Sequence, residues 1–498
     1  MVIAGQGRAD EIGVMRRCIP HDRDFAHDSQ STRYSRLSYD KALAGDGGPT
    51  RDRVTMRSHE VVPDSDPTQG GKFTRVSDLT LGSEFRVGWP VVLACFCLAV
   101  FAWGFGFYGQ SVYLAALRET HGWSTSLISG ATTTYYLWGA VLLALVPSAI
   151  ERFGVRGVAM SGALLLGAGT ITLSRASAPW QLYASAVVMG VGWACTSTTA
   201  IAVILARRFD QRRGLAISLA LNGASVGGLV VAPALVGLSH ALGLSRAVCL
   251  LVGGALLALL PVLAICLRSV PHPSHGPGTG KRPPTDPLPA FDDRISLLRD
   301  PGFWSVTLPF SLALMAQVGF IVHQVAFLLP SLGVAGAGSA VALTAAAATT
   351  GRLALSTVID RLHQRRTAAI SFASQAGGLA LMLLWPTSPA ALYLGSLVFG
   401  LSVGNVVTLP SLIVQREFAA RSFALVIGLS SMVGQLGLSA GPALLGAVRD
   451  ATGAYSAAVG VCIGLQLLAA LLILCRPCLR GSQSARSSST HSAIGALP

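Results

Sequence analysis

Residues 89–113 read WPVVLACFCLAVFAWGFGFYGQSVY, and the reading of this run decides the class of fold. It contains no Asp, Glu, Lys, Arg or His. Wound as an α-helix at about 1.5 Å per residue it reaches roughly 37 Å, more than the roughly 30 Å hydrocarbon core of a bilayer. A helix satisfies its backbone N–H and C=O groups within one segment, which lipid requires because it offers them no partner. Barrel strands would be far shorter and would alternate apolar with polar residues, and this run does not alternate. It is therefore expected to span a membrane as a helix.

Eleven more runs of this kind follow. The first six spans are expected near 89–113, 126–149, 157–174, 180–205, 214–239 and 245–267. A second six are expected near 303–329, 339–359, 367–385, 389–414, 422–447 and 455–475. The expected fold is thus an all-α membrane protein with twelve transmembrane helices in two six-helix pseudo-repeats. Composition agrees, since hydrophobic residues make up 52% of the chain and charged residues only 12%, about half the share of a soluble domain. The mean hydropathy of +0.58 has the same meaning. A chain this poor in charge cannot cover itself with a solvated surface, so lipid is its expected solvent.

A net charge of +14 raises the question of nucleic acid. Its distribution excludes that partner, because the basic residues sit in short clusters between apolar runs and form no aromatic-interleaved stripe. The nine Cys form no disulfide framework: most lie inside apolar runs, where Cys is a small hydrophobe. Cys475 and Cys478 make a lone CxxC without a second pair, so no metal site and no cofactor are expected. There is no P-loop and no HExxH, so neither ATP-driven transport on this chain nor an enzyme is expected.

The domain organisation follows from these shifts in texture. Residues 1–87 are expected to be a disordered cytoplasmic tail, 88–268 the first six-helix bundle and 269–300 a Pro- and Gly-rich cytoplasmic linker. Residues 301–478 form the second bundle and 479–498 a Ser-rich tail, expected to be disordered. A short surface helix is expected near Phe291 to Leu298. Even-numbered loops, the linker and the C-terminal tail carry nineteen Lys and Arg, whereas odd-numbered loops carry four, Arg118, Arg175, Arg246 and Arg449. That asymmetry puts both termini in the cytoplasm of a cell that inserts the chain in its inner or plasma membrane.

The two sets of spans are related by a fixed offset. Glu151, Arg152 and Arg156 correspond to Asp360, Arg361 and Arg365, and 360 − 151 = 209. The same offset takes Arg212 to Arg421, Pro233-Ala234-Leu235 to Pro442-Ala443-Leu444, and Gly237 to Gly446. Parallel six-helix repeats belong to transporters that bind substrate near the midplane between the halves.

These residues resemble a known family. The loop carrying Glu151, Arg152, Gly154 and Arg156 is similar to the conserved loop of the major facilitator superfamily, with Asp360-Arg361 as its second copy. Pro147 and Ser356 stand where that loop motif usually opens with Gly. The resemblance covers about residues 88–480 and implies that these charged loops gate the cytoplasmic face. The approach to the fifth span, Phe209-Asp-Gln-Arg212-Arg213-Gly-Leu-Ala followed by Gly223, resembles the signature of the monocarboxylate transporter group.

Arg352 is the sharpest signal for function. It lies eight residues before Asp360, roughly 12 Å inside the interface. A guanidinium there costs at least about 2.5 kcal/mol on insertion scales, so it is expected to face the bundle interior or a wet cavity. Its counterpart at the offset is Leu143, so the repeat itself does not require the charge. The guanidinium fork matches a carboxylate in bidentate geometry. By resemblance, Arg352 also matches the substrate-binding arginine of the monocarboxylate carriers. In those carriers an acid sits one turn earlier, where this chain has Ala348, and a lysine in the first span is also absent.

All ten acids after residue 85 fall in loops or at helix ends, which removes an intramembrane carboxylate relay. His323, well inside the seventh span, is then the best titrating group, because imidazole changes charge in the working range. Gln324, Tyr108, Tyr136 and Asn405 are further expected substrate contacts. No second cation lies in the eleventh span, which disfavours dicarboxylates. The expected function is secondary active transport, by symport, of a small organic anion, with a coupling proton and with the chain acting as a monomer. The alternatives are an efflux antiporter for amphipathic compounds or a transporter-like membrane sensor; resemblance counts against the first, since drug antiporters of the superfamily carry Gly-Pro where this chain has Gly227-Gly228.

Overall fold

The computed structural model describes residues 76–209, 212–269, 296–418 and 422–475, and all regular structure among them is helical. The expected N-terminal tail up to residue 75, the linker from 270 to 295, Arg421, and the C-terminal tail from 476 lie outside the described residues. Of the short helix expected at the end of the linker, only the part from Ser296 onward is described, and it is helical to Leu298.

Helix α1 (Val76–Phe101) runs through a π-helical segment, Ala102–Tyr108, into α2 (Gly109–His121). Next come α3 (Thr125–Leu143), α4 (Val146–Ser174), α5 (Pro179–Thr196) and α6 (Thr198–Ala206). Helix α7 (Arg213–Val226) continues through a second π segment, Gly227–Val231, into α8 (Ala232–Leu242), and α9 (Leu244–Cys266) precedes the linker. After it stand α10 (Pro301–Val358), α11 (Gln364–Leu384), α12 (Pro389–Glu417), α13 (Phe423–Thr452) and α14 (Tyr455–Leu474).

The sequence starts these helices where the physics requires it. Pro179, Pro301 and Pro389 are first residues, where a missing N–H costs nothing. Asp300 accepts from Gly302 N–H at 2.8 Å, and Ser124 and Ser388 cap α3 and α12 in the same manner.

Ten of the helical runs are long and apolar enough to cross a membrane among the described residues. The expected twelve are reached only by adding α3 and by dividing α10 at Gly333. The hydropathy of the sequence implies a loop there, between residues 329 and 339. The structure keeps helix on both sides and breaks it at Gly333 alone, with φ 67° and ψ −177°. Gly154 does the same within α4, with φ 75° and ψ 158°. Glycine reaches positive φ without a Cβ penalty, so one residue can do what a loop would otherwise do.

Within the part before the linker, α3 and α4 pack on α5, α4 on α9, and α1 on α7. After it, α10 packs on α12, α13 and α14, and α11 on α12 and α14. The two parts meet where α3 packs on α13 and where α2 and α8 pack on α10.

In lipid there is no hydrophobic force between helices, so close approach over small residues carries the packing. The α10–α12 seam is the clearest case. A Cβ built on Gly351 would land on the carbonyl oxygen of Leu401, and one on Gly400 would meet Thr344 O at 2.7 Å. Gly351→Ala is therefore expected to lower the melting temperature of the purified protein, at a cost of about 1–3 kcal/mol for overpacking. Gly377→Ala, where a Cβ meets nothing within 4 Å, is the control and should leave it unchanged.

Candidate substrate-binding site

Arg352 lies on α10, six residues before its end at Val358. Its Nε is buried and has no hydrogen-bond partner. Among the described residues its guanidinium is in no ion pair: the two salt bridges there join Arg365 to Glu417 and Arg449 to Asp450. The side chain lies along α12 where that helix has no side chain of its own. A Cβ on Gly404 would come within 3.0 Å of both Cβ and Nε of Arg352.

Tyr108, the last residue of the first π segment, is 4% exposed and within electrostatic reach of Arg352. The two π segments pack on one another beside it. A Cβ on Gly227 would meet Gly104 N at 2.7 Å, and one on Gly228 would meet the Tyr108 ring at 2.6 Å and Ala345 of α10. The extra residue in each π turn thus lies where α1 and α7 cross and where the two parts of the chain touch. Asn405 follows Gly404. Its Nδ2 donates to Leu401 O at 3.4 Å, while its Oδ1 is buried without a partner. The structure therefore gathers Arg352, Tyr108 and Asn405 into one region from three helical segments.

Gln324 and Tyr136 are held by bonds of their own. Gln324 donates to Thr344 Oγ1 at 2.8 Å, and its Oε1 is buried and unpartnered. Tyr136 is 1% exposed, donates to Gly106 O at 3.4 Å and packs at 6.3 Å from Phe107, so it braces the first π segment.

His323, 1% exposed, sits at the seam between the two parts. Its Nε2 lies 3.2 Å from Ser129 Oγ of α3 and 3.2 Å from Pro442 O of α13. Its Nδ1 lies 3.5 Å from the Tyr455 hydroxyl of α14. Beyond it, Asp450 Oδ1 accepts from Thr125 N–H at 3.2 Å and Oδ2 from Ser126 N–H at 2.6 Å. These donors are at the N-terminus of α3, so a carboxylate from one part caps a helix of the other. Ala443 N–H donates to Thr133 Oγ1 at 3.1 Å along the same seam. This end, on the odd-numbered-loop side, is held shut.

Away from that seam, α2, α8 and α10 line a cavity of about 340 Å³ that includes Val112, Glu119, Ser239, His240 and Leu329. Its one carboxylate, Glu119, has the wrong sign for an anion, which leaves Arg352 as the better anchor.

The basic-loop end differs. Glu151, Arg152, Arg156 and Arg361 are exposed, and among the described residues none of them bridges to the other part. The side chain of Asp360 lies outside the described residues. Arg365 is 8% exposed and bonds within its own part, to Glu417 at 2.6 and 2.7 Å, to Ser305 and to Ile473 O. Phe209 of the signature leading into α7 is buried against Phe85 at 5.7 Å. Arg212 and Arg213 open α7, and Gly223 lies against the backbone of Phe96.

Three arrangements went unread in the sequence. Asp450 looked like a loop acid, and nothing near it in the chain points to α3. Arg365 and Glu417 lie in different loops, and no local pattern pairs them. Gln317, Gln375 and Gln466 form a buried ladder between α10, α11 and α14, with bonds of 2.9 and 2.7 Å. Three glutamines inside apolar spans were the available signal for that ladder.

The chain is similar to known proteins in both sequence and shape. A family profile described as Major Facilitator Superfamily matches residues 95–442. Monocarboxylate transporter 11 of Homo sapiens is 31% identical over 318 residues, which are 61% of this chain and 65% of that protein. Monocarboxylate transporter 4 of Mus musculus is 27% identical over 398 residues, 78% of this chain and 82% of that one. The matched region thus spans just under two thirds of the human relative. Among solved structures, nucleoside transporter NupG superposes with a TM-score of 0.61 at 13% identity, over 78% of this chain and 97% of that one. A bacterial homologue of the human lysosomal transporter Spinster, solved inward-facing and unoccupied, gives 0.54 at 15% identity, over 78% and 94%. At these identities the structures speak to the fold alone.

Proposed function

Because the chain belongs to the Major Facilitator Superfamily, we propose that this multi-pass membrane transporter, a relative of the monocarboxylate transporters, carries a small organic anion, a monocarboxylate. The observation that carries the reading is Arg352, a guanidinium whose buried Nε has no partner and which no carboxylate pairs among the described residues. A lone cation in low dielectric favours an anion strongly, and the guanidinium fork suits a planar carboxylate. Tyr108 and Asn405, close by, supply a hydroxyl and an unpartnered carbonyl oxygen that would orient the rest of the substrate.

Transport follows by alternating access, with residues 88–268 and 301–478 rocking as two six-helix bundles about the site. The charged loops with Glu151, Arg152 and Arg156, and with Asp360 and Arg361, would close the cytoplasmic face in the opposite state. Arg365 would act from inside its own bundle. The chain works as a monomeric symporter in the cell membrane, with both termini cytoplasmic and a proton as coupling ion.

The test is uptake into proteoliposomes of labelled mono- and dicarboxylates, with and without an inward pH gradient. Saturable uptake of a monocarboxylate in preference to a dicarboxylate is expected. Failure to take up any anion across a panel of such acids would overturn the reading.

A further inference from the structure

We propose that His323 is the proton-binding residue of the gate on the odd-numbered-loop side, and that its protonation opens the seam latched by Asp450. This inference rests on the transporter reading and adds to it the place where a proton acts.

The hydrogen bonds around His323 define its tautomer. Ser129 donates its one hydroxyl hydrogen to Thr125 O at 2.7 Å, so toward His323 it can only accept. Pro442 O, the other neighbour of Nε2, is also an acceptor. Nε2 must then carry the hydrogen, shared between two acceptors on different parts of the chain. Nδ1, facing the Tyr455 hydroxyl, is the free base. The neutral ring thus ties α3 to α13 while the seam is shut.

A second proton adds to Nδ1 and brings a full positive charge. The charged and titratable groups around the ring are Asp450 and Arg449 at the end of α13 and Tyr455 at the start of α14, while α3 presents Ser129. Asp450 is the natural counter-charge, but its charge is already shared among three donors. Arg449 Nη1 lies 3.0 Å from Oδ1, and the first amides of α3 bond both oxygens. The Arg449 guanidinium also lies 5.7 Å over the Tyr455 ring, which adds positive potential beside Nδ1. A charged imidazole that is 1% exposed is therefore stabilised better by water than by its neighbours, and water reaches it only when the seam parts. By linkage, the state that binds the proton better is the one that acid favours. Acid on that side should hold the carrier open toward it.

The measurement is the distance between spin labels at His121→Cys on α2 and Thr452→Cys on α13, both exposed, in nanodiscs and in a background without reactive cysteines. The wild-type background should shift toward longer distances as pH falls from 8 to 5. The open-to-closed ratio should rise by up to about tenfold per unit below the ordinary imidazole pKa of about 6.5. His323→Gln should give the same distribution at every pH, and Asp450→Asn should raise the open-to-closed ratio at every pH while keeping its slope. A wild-type distribution that does not move with pH overturns the proposal, even where His323→Gln fails to fold. So does a His323→Gln variant that keeps the shift. The readout needs no transported substrate, so it stands or falls separately from the anion reading.

Discussion

Arg352→Gln is expected to abolish saturable anion uptake, by roughly a hundredfold or more, while leaving the fold intact. Removing one member of a buried, hydrogen-bonded charge pair costs about 2–5 kcal/mol of binding, and about 1.4 kcal/mol is a factor of ten. The same change should not lower stability. In the empty carrier the guanidinium has no bond to lose, its Nε being buried without a partner, and a neutral amide at that depth is cheaper than a charge. Equal or higher melting temperature together with lost uptake is thus the signature of a substrate anchor. Arg352→Lys keeps the charge but not the fork, so uptake should return only in part. Wild-type uptake by Arg352→Gln would refute the anchoring role, and a large loss of melting temperature would point to structural work instead.

Arg365 predicts the opposite pattern. Its guanidinium makes two short bonds to Glu417, and others to Ser305 and Ile473 O, joining the start of α10 to the ends of α12 and α14. Breaking a fully buried pair by removing one partner costs about 3–5 kcal/mol, and with Glu417 a quarter exposed the loss here should lie at or below the lower end of that range. Arg365→Ala and Glu417→Ala should each depress thermal stability strongly. The double variant should lose less than the sum of the two, because the two side chains act as one unit. A thermal-unfolding double-mutant cycle measures that coupling. Additive losses would mean that the bridge contributes nothing of its own.

These two arginines mark how far the sequence could be read. Both stood out as charges next to or inside apolar runs. Arg352 was legible because depth in the membrane is counted along the chain, and because no acid lies in a span to pair with it. Arg365 read as a loop gate because at the repeat offset it matches Arg156 of the first charged loop motif. The repeat does not carry the clamp: the counterpart of Glu417 at the offset is Arg208. Only packing could reveal that Arg365 turns inward.

The sequence by itself determined that lipid is the solvent, that the spans are helices, where most of them begin and end, and that one arginine, Arg352, falls inside a span. Those properties depend on composition and on length along one helix, which are local quantities. The tertiary structure alone decided which end of the bundle is shut and what shuts it. Asp450 reaches Thr125 and Ser126 across more than three hundred residues, and His323 reaches Ser129 across nearly two hundred. Such contacts depend on how helices cross and which face each presents, and hydropathy carries no record of either. The lone cation was therefore readable from the chain, whereas the gate had to be seen folded.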